Sequence, residues 1–297
     1  MSPDRENQSR PKVLVVGATG YLGKHMIQCL HRRGYWVRVL VRDESRLADV
    51  KDLVDEVFVG EATKPESLIG VCDGIEIVFS SLGITRQKDG LTYQDVDYGA
   101  NKNVLDLAIR SGVEKFLYVS ALNADKLPDV KILAAKEHFV SELRESSIDS
   151  IVVRPNGFFS DMKEFLSMAR GGRVYLFGDG EYRSNPIDGT DLANFCIDQF
   201  SFRNTCVDIG GPDVLTANEI ADLAFAATGQ KRRVTYIPLW ITKALLFGMR
   251  KFTGVETHGP IEFFLTVLTM DMVAPSTGTR RLADFFQDEA KTEQSQR

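Results

Sequence analysis

The chain of 297 residues is poor in the side chains that bind metals or form disulfide frameworks. Its four cysteines are far apart, without a CxxC pair or a histidine at ligand spacing, and its four histidines are equally scattered. This spacing argues against zinc motifs and against a disulfide scaffold. It indicates reduced cysteines in a cytoplasmic protein, because disulfides are rare in that compartment. No metal site is predicted.

The chain also lacks an excess of positive charge and long apolar runs. Its 36 Lys and Arg against 41 Asp and Glu give a formal net charge of −5, which argues against a nucleic-acid partner. No stretch reaches the roughly 18 uninterrupted apolar residues of a spanning helix. The most apolar segments, 237–249 and 261–275, are interrupted by Lys243 and Asp271. They predict core or dimer packing, with a peripheral membrane face or a hydrophobic-substrate pocket as alternatives.

Short β-branched apolar runs alternate with helix-like segments over the first half of the chain. This alternation predicts βαβ units and a doubly wound parallel α/β sheet of the Rossmann type. Gly34 and Gly112 are predicted to end two of the helices, and Thr216 with Glu219 predicts a capping box. The predicted strands span 12–17, 36–41, 56–60, 75–80, 115–120, 150–154 and 206–211.

The first predicted strand runs directly into the string GATGYLG, which opens a helix. In this context Gly17 permits a tight turn, Gly20 lets the backbone approach a pyrophosphate, and Gly23 lets the helix pack closely on the sheet. The helix N-terminus adds free N–H groups and a partial positive charge. The motif therefore predicts a site for a nicotinamide dinucleotide.

The residues after the second strand bear on the choice between NADPH and NADH. NAD-selective sites carry an Asp or Glu there, whereas this chain carries Arg42, followed by Asp43 and Arg46. A guanidinium can pair with a 2′-phosphate through two charge-assisted hydrogen bonds. NADP(H) is therefore the predicted cofactor, and NAD(H), with Asp43 in the acidic role, is the alternative.

Several segments together resemble a known family, the NmrA-like atypical short-chain dehydrogenases/reductases. They include GATGYLG, VRVLVRDESRL, YVSALNA and VVRPNGFFSD, and later IDGTDLANF and DIGGPDVLTANEIADLA. The resemblance spans about Lys12 to Phe286. It implies a dinucleotide-binding domain over 12–156 and a smaller C-terminal substrate lobe over 157–286, with a strand near 206–211 returning to the sheet. Residues 1–11 and 287–297 are polar and predict a disordered leader and a disordered tail.

The resemblance also implies the cofactor-binding residues. By this resemblance the phosphate loop consists of Gly17, Thr19, Gly20, Tyr21, Leu22 and Gly23, and the 2′-phosphate is bound by Arg42. The residues beside the adenine are Glu61 and Ala62, and those that contact the nicotinamide ribose are Ser81, Leu82, Gly83 and Lys136. The nicotinamide is bordered by Pro155, Asn156, Gly157 and Phe158. Ser120, at the end of the fifth strand, is a further cofactor contact.

The sequence departs from the family at the catalytic tyrosine. Active short-chain dehydrogenases use a Tyr four residues before a Lys, because the ammonium lowers the pKa of the phenol that shuttles the proton. Here Lys136 is in place but Ile132 occupies the tyrosine position, and the usual hydroxyl just past Ser120 is missing. Tyr98 and Lys102 have the required spacing, but they precede the fifth strand and predict a solvated helix face.

These features predict an NADPH-dependent reductase of a small or lipophilic organic substrate, either a carbonyl or an activated C=C bond. Lys136 is the candidate catalytic residue, as an acid or base, provided that burial lowers its pKa. A ribose hydrogen bond without proton transfer is the other interpretation of Lys136. The alternative function is a non-catalytic NADPH-binding redox sensor or an assembly or structural subunit. A monomer or homodimer is expected.

Overall fold

The computed structural model describes residues 10–47, 49–84 and 90–294. Within them the strands are β1 (Lys12–Val16), β2 (Trp36–Val41), β3 (Glu56–Val59), β4 (Ile77–Ser80), β5 (Lys115–Val119), β6 (Asp149–Pro155), β7 (Val174–Phe177), β8 (Arg183–Ser184), β9 (Thr205–Ile209), β10 (Leu215–Thr216) and β11 (Val234–Ile237). The helices are α1 (Tyr21–Arg32), α2 (Asn101–Arg110), α3 (Lys131–Glu145), α4 (Lys163–Arg170), α5 (Gly189–Gln199), α6 (Ala217–Thr228), α7 (Leu239–Phe252), α8 (Val255–Val267) and α9 (Leu282–Gln294). A π-helical segment, Gln94–Ala100, leads directly into α2.

Seven strands form one parallel sheet in the order β3-β2-β1-β4-β5-β6-β9. The chain runs outward from β1 to β3, crosses back to β4 and continues in the other direction, so the strand order reverses between β1 and β4. Ligands of such sheets bind outside the carboxyl ends of the strands at this reversal. The predicted doubly wound parallel sheet is confirmed, and β2 has the predicted bounds.

Helices cover both faces of this sheet. Side chains alternate along a strand, so Val13 and Val15 of β1 pack in one core with α1 and α5, whereas Leu14 and Val16 pack in another with α2 and α3. Burial on both faces explains why the strand sequences are almost continuously apolar.

A separate core lies in the C-terminal half, between α4, β7, α6 and α9. There β7 pairs with β11, and β8 pairs with β10. The capping box at Thr216 and Glu219 is present at the start of α6. Strand β9 lies beside β6 in the main sheet. The division into a dinucleotide-binding domain and a substrate lobe stays a prediction.

The predicted disordered tail is wrong for the part that the structure describes. Residues 287–294 continue α9, and residues 295–297 lie outside the described residues. Leu282, Phe286 and Ala290 have exposed fractions of 1%, 0% and 5%. They recur every four residues, so they share one face of the helix. The polar composition of this segment belongs to the opposite, solvent-facing side.

The predicted leader also needs a correction. Residues 1–9 lie outside the described residues. Arg10 is anchored, because its guanidinium pairs with Asp55 at 2.8 Å and donates to the carbonyl oxygen of Gly34 at 3.1 Å. The carbonyl oxygen of Pro11 accepts from the N–H of Trp36 at 3.0 Å.

Candidate functional site

The turn between β1 and α1 fits the pyrophosphate of a dinucleotide. Gly17 has φ +87°, a conformation that favours glycine. A Cβ on Gly23 would lie 2.1 Å from the carbonyl oxygen of Gly17, so α1 packs directly against the turn. Helix α1 begins after Gly20, and no side chain caps its first N–H groups. These N–H groups are therefore available as donors to an anion.

Two other residues predicted in the phosphate loop direct their side chains elsewhere. Leu22 is buried in the core beneath α1. The hydroxyl oxygen of Tyr21 accepts from the N–H of Gly189 at 3.0 Å, and its ring packs against His25 and Phe158. Burial raises the pKa of Tyr21 to about 12. These side chains join α1 to α5 and do not line the cleft described next.

A cleft of about 240 Å³ opens at the carboxyl ends of β1 to β4. The predicted cofactor residues that line it are Gly17, Thr19, Gly20, Arg42, Glu61, Ala62, Ser81, Leu82 and Gly83. The sequence reasoning missed other residues of its wall, among them Thr63, Ile84, Leu91, Val96 and Ala100. Their positions after β3, after β4 and just before α2 could have indicated that they line the cleft. The four apolar members make this wall hydrophobic.

One end of the cleft, after β2, is rich in arginine. Arg42 and Arg46 are exposed and both line it. Asp43 lies between them, but its Oδ1 accepts from the hydroxyl and the N–H of Ser45 at 2.7 and 2.9 Å. These hydrogen bonds hold the pKa of Asp43 below its usual range. The carboxylate is thus engaged in the local turn, while two guanidinium groups face the cleft.

Glu61 follows β3 and lines the cleft. Its carboxylate pairs with Lys64 at 2.7 Å and accepts from the hydroxyl of Thr63 at 3.0 Å. Those two contacts, with Arg42 nearby, lower the pKa of Glu61. Glu61 is therefore ionised at neutral pH and held by its neighbours at the edge of the cleft.

The other end of the cleft holds a buried ion pair. Lys136 Nζ lies 2.8 Å from Asp97 Oδ1, and the exposed fractions of the two side chains are 14% and 0%. Asp97 Oδ2 accepts from the N–H of Ile84 at 3.2 Å. A Cβ on Gly83 would lie 2.8 Å from Lys136 Nζ and 2.5 Å from Asp97 Oδ1. Lys136 is not among the residues that line the cleft, but its ammonium group lies directly beside Gly83, which does line it.

The condition for Lys136 to act as an acid or base, a pKa lowered by burial, is not met. Burial alone would lower it, but Asp97, with the ring of Tyr118 5.6 Å from Nζ, outweighs burial and raises the pKa of Lys136. A carboxylate at hydrogen-bond distance stabilises the charged form. Lys136 is a cation at neutral pH.

The position of the missing tyrosine is apolar and closed. Ile132 has an exposed fraction of 4% and packs with Tyr93, Ala135 and Ile84. The spaced pair Tyr98 and Lys102 does not replace it. The Tyr98 ring stacks on His138 at 3.8 Å, and Lys102 pairs with Asp106 of its own helix at 2.6 Å.

The remaining predicted cofactor contacts bond to the protein itself. Ser120 donates to Glu137 at 2.9 Å, and Glu137 also pairs with Arg154 at 2.6 Å. Asn156 donates to Asn185 at 2.8 Å within a buried network. Like these residues, Pro155, Gly157 and Phe158 are absent from the lining of the cleft. Their contact with a cofactor stays a prediction.

Helix α5 begins beside the phosphate loop and is capped by Asp188, which accepts from the N–H groups of Thr190 and Asp191. Asp191 accepts from the N–H groups of Thr279 and Arg280 at 2.8 and 2.9 Å. It therefore ties the segment before α9 to α5.

In the described part of the chain, no three His, Cys, Asp or Glu side chains are grouped to hold a metal ion. Cys29, Cys72 and Cys196 are buried free thiols, and Cys206 is an exposed one. None of the helices described is both long and apolar enough to cross a bilayer.

Sequence comparisons relate the chain to nicotinamide-binding proteins. A family model described as NAD(P)H-binding matches residues 17–201. The divinyl chlorophyllide a 8-vinyl-reductase, chloroplastic, of Zea mays is 30% identical over 298 residues, covering 91% of this chain and 74% of that protein. The photosystem II assembly factor Ycf39 of Trieres chinensis is 25% identical over 242 residues, covering 80% and 76%.

Solved structures share the fold. An isoflavone reductase matches with a TM-score of 0.69 at 17% identity and covers 95% of this chain and 100% of its own. The GDP-mannoheptose C4 reductase of Campylobacter jejuni, solved with NADP bound, matches with a TM-score of 0.66 at 12% identity, covering 97% and 99%. At these identities the likeness is one of fold.

Proposed function

Because the chain belongs to the NAD(P)H-binding family, we propose that it is an NADPH-dependent reductase of an activated carbon–carbon double bond in a lipophilic organic substrate. The observation that carries the proposal is the ion pair between Lys136 and Asp97, 2.8 Å apart and beside Gly83. It holds Lys136 protonated next to the cleft and leaves no group there that is ready to exchange a proton.

The residues of the cleft fit NADPH better than NADH. Gly17 and Gly23 form a close turn for the pyrophosphate, in which a Cβ on Gly23 would lie 2.1 Å from the carbonyl oxygen of Gly17. Arg42 and Arg46 offer two guanidinium groups to a 2′-phosphate, which arginine binds through paired hydrogen bonds. Asp43, which would otherwise hold the ribose hydroxyls, is engaged by Ser45. The arrangement thus favours an added phosphate over a free hydroxyl.

The site suits a C=C bond better than a carbonyl. Carbonyl reduction forms an alkoxide that takes up a proton, and Ile132 stands where a tyrosine would supply it. When bound, the reduced nicotinamide supplies a hydride. An electron-withdrawing group stabilises the carbanion left by hydride addition to an activated alkene, which then takes its proton from water. Lys136, held charged by Asp97, serves as a hydrogen-bond donor to the nicotinamide ribose.

The maize relative agrees with this bond class, since its name describes reduction of a vinyl group. For the present chain we propose a vinyl group conjugated to an electron-poor ring. The wall formed by Leu82, Ile84, Leu91 and Val96 at the cleft would favour an apolar substrate.

A turnover assay tests the proposal. The purified chain is supplied with NADPH and, in separate reactions, divinyl chlorophyllide a, a simple enone and a saturated aldehyde, and oxidation of NADPH is followed by absorbance. We expect NADPH to be oxidised in the presence of either conjugated alkene and the vinyl group of divinyl chlorophyllide a to be reduced. We expect no oxidation of NADPH with the aldehyde. Oxidation with the aldehyde alone would contradict the assignment.

A fluorescence titration tests the choice of cofactor. We expect NADH to bind at least about tenfold more weakly than NADPH, a difference of about 1.4 kcal/mol. Arg42→Ala should remove most of that preference without weakening the binding of NADH. Arg33→Ala is the matched control, because Arg33 pairs with Asp198 at 2.5 Å and does not line the cleft. Equal binding of both cofactors by the unaltered chain would refute the role of Arg42.

A second function is favoured by the same ion pair. A lysine paired with a buried carboxylate is also what a protein that holds NADPH without turnover would carry, and the Trieres chinensis relative is named as an assembly factor. Tight NADPH binding with no oxidation by any conjugated alkene would favour this non-catalytic role.

A further inference from the structure

Helix α7 presents large apolar side chains to solvent. Trp240, Phe247 and Phe252 have exposed fractions of 70%, 73% and 80%, and Ile241 and Leu245 of 40% and 53%. With about 3.6 residues per turn, these positions lie on one side of the helix, within an arc of about 160°. Soluble proteins rarely leave a continuous apolar surface of this kind uncovered, so we expect a binding partner to cover it.

The charges on α7 are all positive. The helix contains Lys243, Arg250 and Lys251 and no Asp or Glu, although the whole chain carries a net charge of −5. Arg250 is paired with Glu262 of α8. Lys243 and Lys251 therefore provide the charge that α7 offers to a partner. A matching occupant has to be anionic and apolar at the same surface.

A second copy of this chain meets that requirement poorly. Two α7 helices packed antiparallel about a twofold axis at Phe247 would place Lys243 of each copy beside Lys251 of the other, because both lysines lie four residues from Phe247. Like charges facing each other oppose such pairing. An anionic bilayer accepts both features, since aromatic side chains enter the boundary of the acyl chains while lysines reach the headgroups.

We propose that α7 docks flat on an anionic lipid bilayer, with Trp240 and Phe247 inserted and Lys243 and Lys251 at the headgroup phosphates. Docking of this kind needs no spanning segment. It is also independent of the proposed reductase activity, because neither aromatic residue lines the cofactor cleft.

Vesicle flotation of the full chain tests the proposal. The probes are vesicles of phosphatidylcholine and of an equal mixture of phosphatidylcholine and phosphatidylglycerol. We expect flotation with the mixed vesicles only, weakened by salt. Trp240→Ser combined with Phe247→Ser should weaken it at least about tenfold, equivalent to about 1.4 kcal/mol, and Lys243→Glu with Lys251→Glu should abolish the preference for phosphatidylglycerol. Ile69→Ser, at a site that is 78% exposed, is the matched control.

Each variant is first compared with the unaltered chain by NADPH titration and thermal midpoint, which should not change because the substituted side chains are exposed. Failure of the unaltered chain to float, or equal flotation by the Trp240 and Phe247 variant, overturns the proposal. Dimers that this variant dissociates, without flotation, would instead assign the surface to a contact between copies and also overturn it.

Discussion

Replacement of Asp97 by asparagine should expose the role of the buried ion pair. Asparagine keeps the shape of the side chain and an oxygen for the N–H of Ile84, so the change mainly removes the negative charge beside Lys136. Breaking a buried pair by removing one partner costs about 3–5 kcal/mol, because the other charge is left uncompensated. We expect Asp97→Asn to lower the free energy of unfolding by that amount in urea titrations at pH 7.

A second variant separates charge from packing. Asp97→Leu combined with Lys136→Met removes both charges, and such replacements of buried pairs are often neutral or stabilising. We expect this double variant to unfold near the urea midpoint of the unaltered chain while losing NADPH affinity. A loss below about 1 kcal/mol in Asp97→Asn would refute the reasoning, since exposed ion pairs contribute no more than that.

The pH dependence of the free energy of unfolding is an independent test of the same ion pair. In the unaltered chain the pKa of Lys136 is raised above 10.5, so its stabilising contribution is fully present below that pH and is lost only as the pH rises through the raised pKa. In Asp97→Asn, burial acts without its counterion and lowers the pKa of Lys136. The stability of the variant should therefore recover as the pH rises toward 10.5, whereas the unaltered chain should show no such recovery.

Four further substitutions test other parts of the structure by urea unfolding. Gly23→Ala should lower the free energy of unfolding by about 1–3 kcal/mol, because the added methyl group overpacks against Gly17. Gly248→Ala in α7 should raise it by about 0.5–1 kcal/mol, because a Cβ there meets nothing within 4 Å. Equal effects of the two changes would contradict the close approach of Gly23 to Gly17. Phe286→Ala should lower the free energy of unfolding by about 3–5 kcal/mol, and a loss near zero would contradict the packing of α9. Burial lowers the pKa of His25 below 6.5, so protonation favours unfolding and stability should fall as the pH drops below 6.5; an equally steep fall in His25→Gln would assign it to other groups.

The sheet could be predicted because its signals are local. Strand β2 was placed at its observed bounds from a run of β-branched residues between polar ends, and the glycine string after β1 located the carboxyl edge of the sheet. The tail was misjudged although its own signal was present. Leu282, Phe286 and Ala290 repeat every four residues, and average polarity concealed that pattern.

The candidate site was harder to predict because its key contact is distant in sequence. Asp97 lies in a polar segment before α2 that resembles any solvated helix, and no spacing rule relates it to Lys136 on α3. The topology brings them together, since the π-helical segment that carries Asp97 packs against α3. The direction of the Lys136 pKa shift could not be inferred without that neighbour, because burial alone favours the opposite sign.

The two ends of the cleft use charge differently, and this bears on the kind of substrate. At the arginine end, Arg42 and Arg46 are exposed, so under the proposed function anions on the cofactor would supply the binding energy there. At the other end the charge of Lys136 is neutralised by Asp97, and the cleft wall includes the apolar residues Ile84 and Val96. A substrate with its own charge would gain no unpaired partner there and would lose hydration on entry. Under the proposed function, selection at that end would depend on shape and apolar burial, which an extended conjugated ring provides and a small polar carbonyl compound does not.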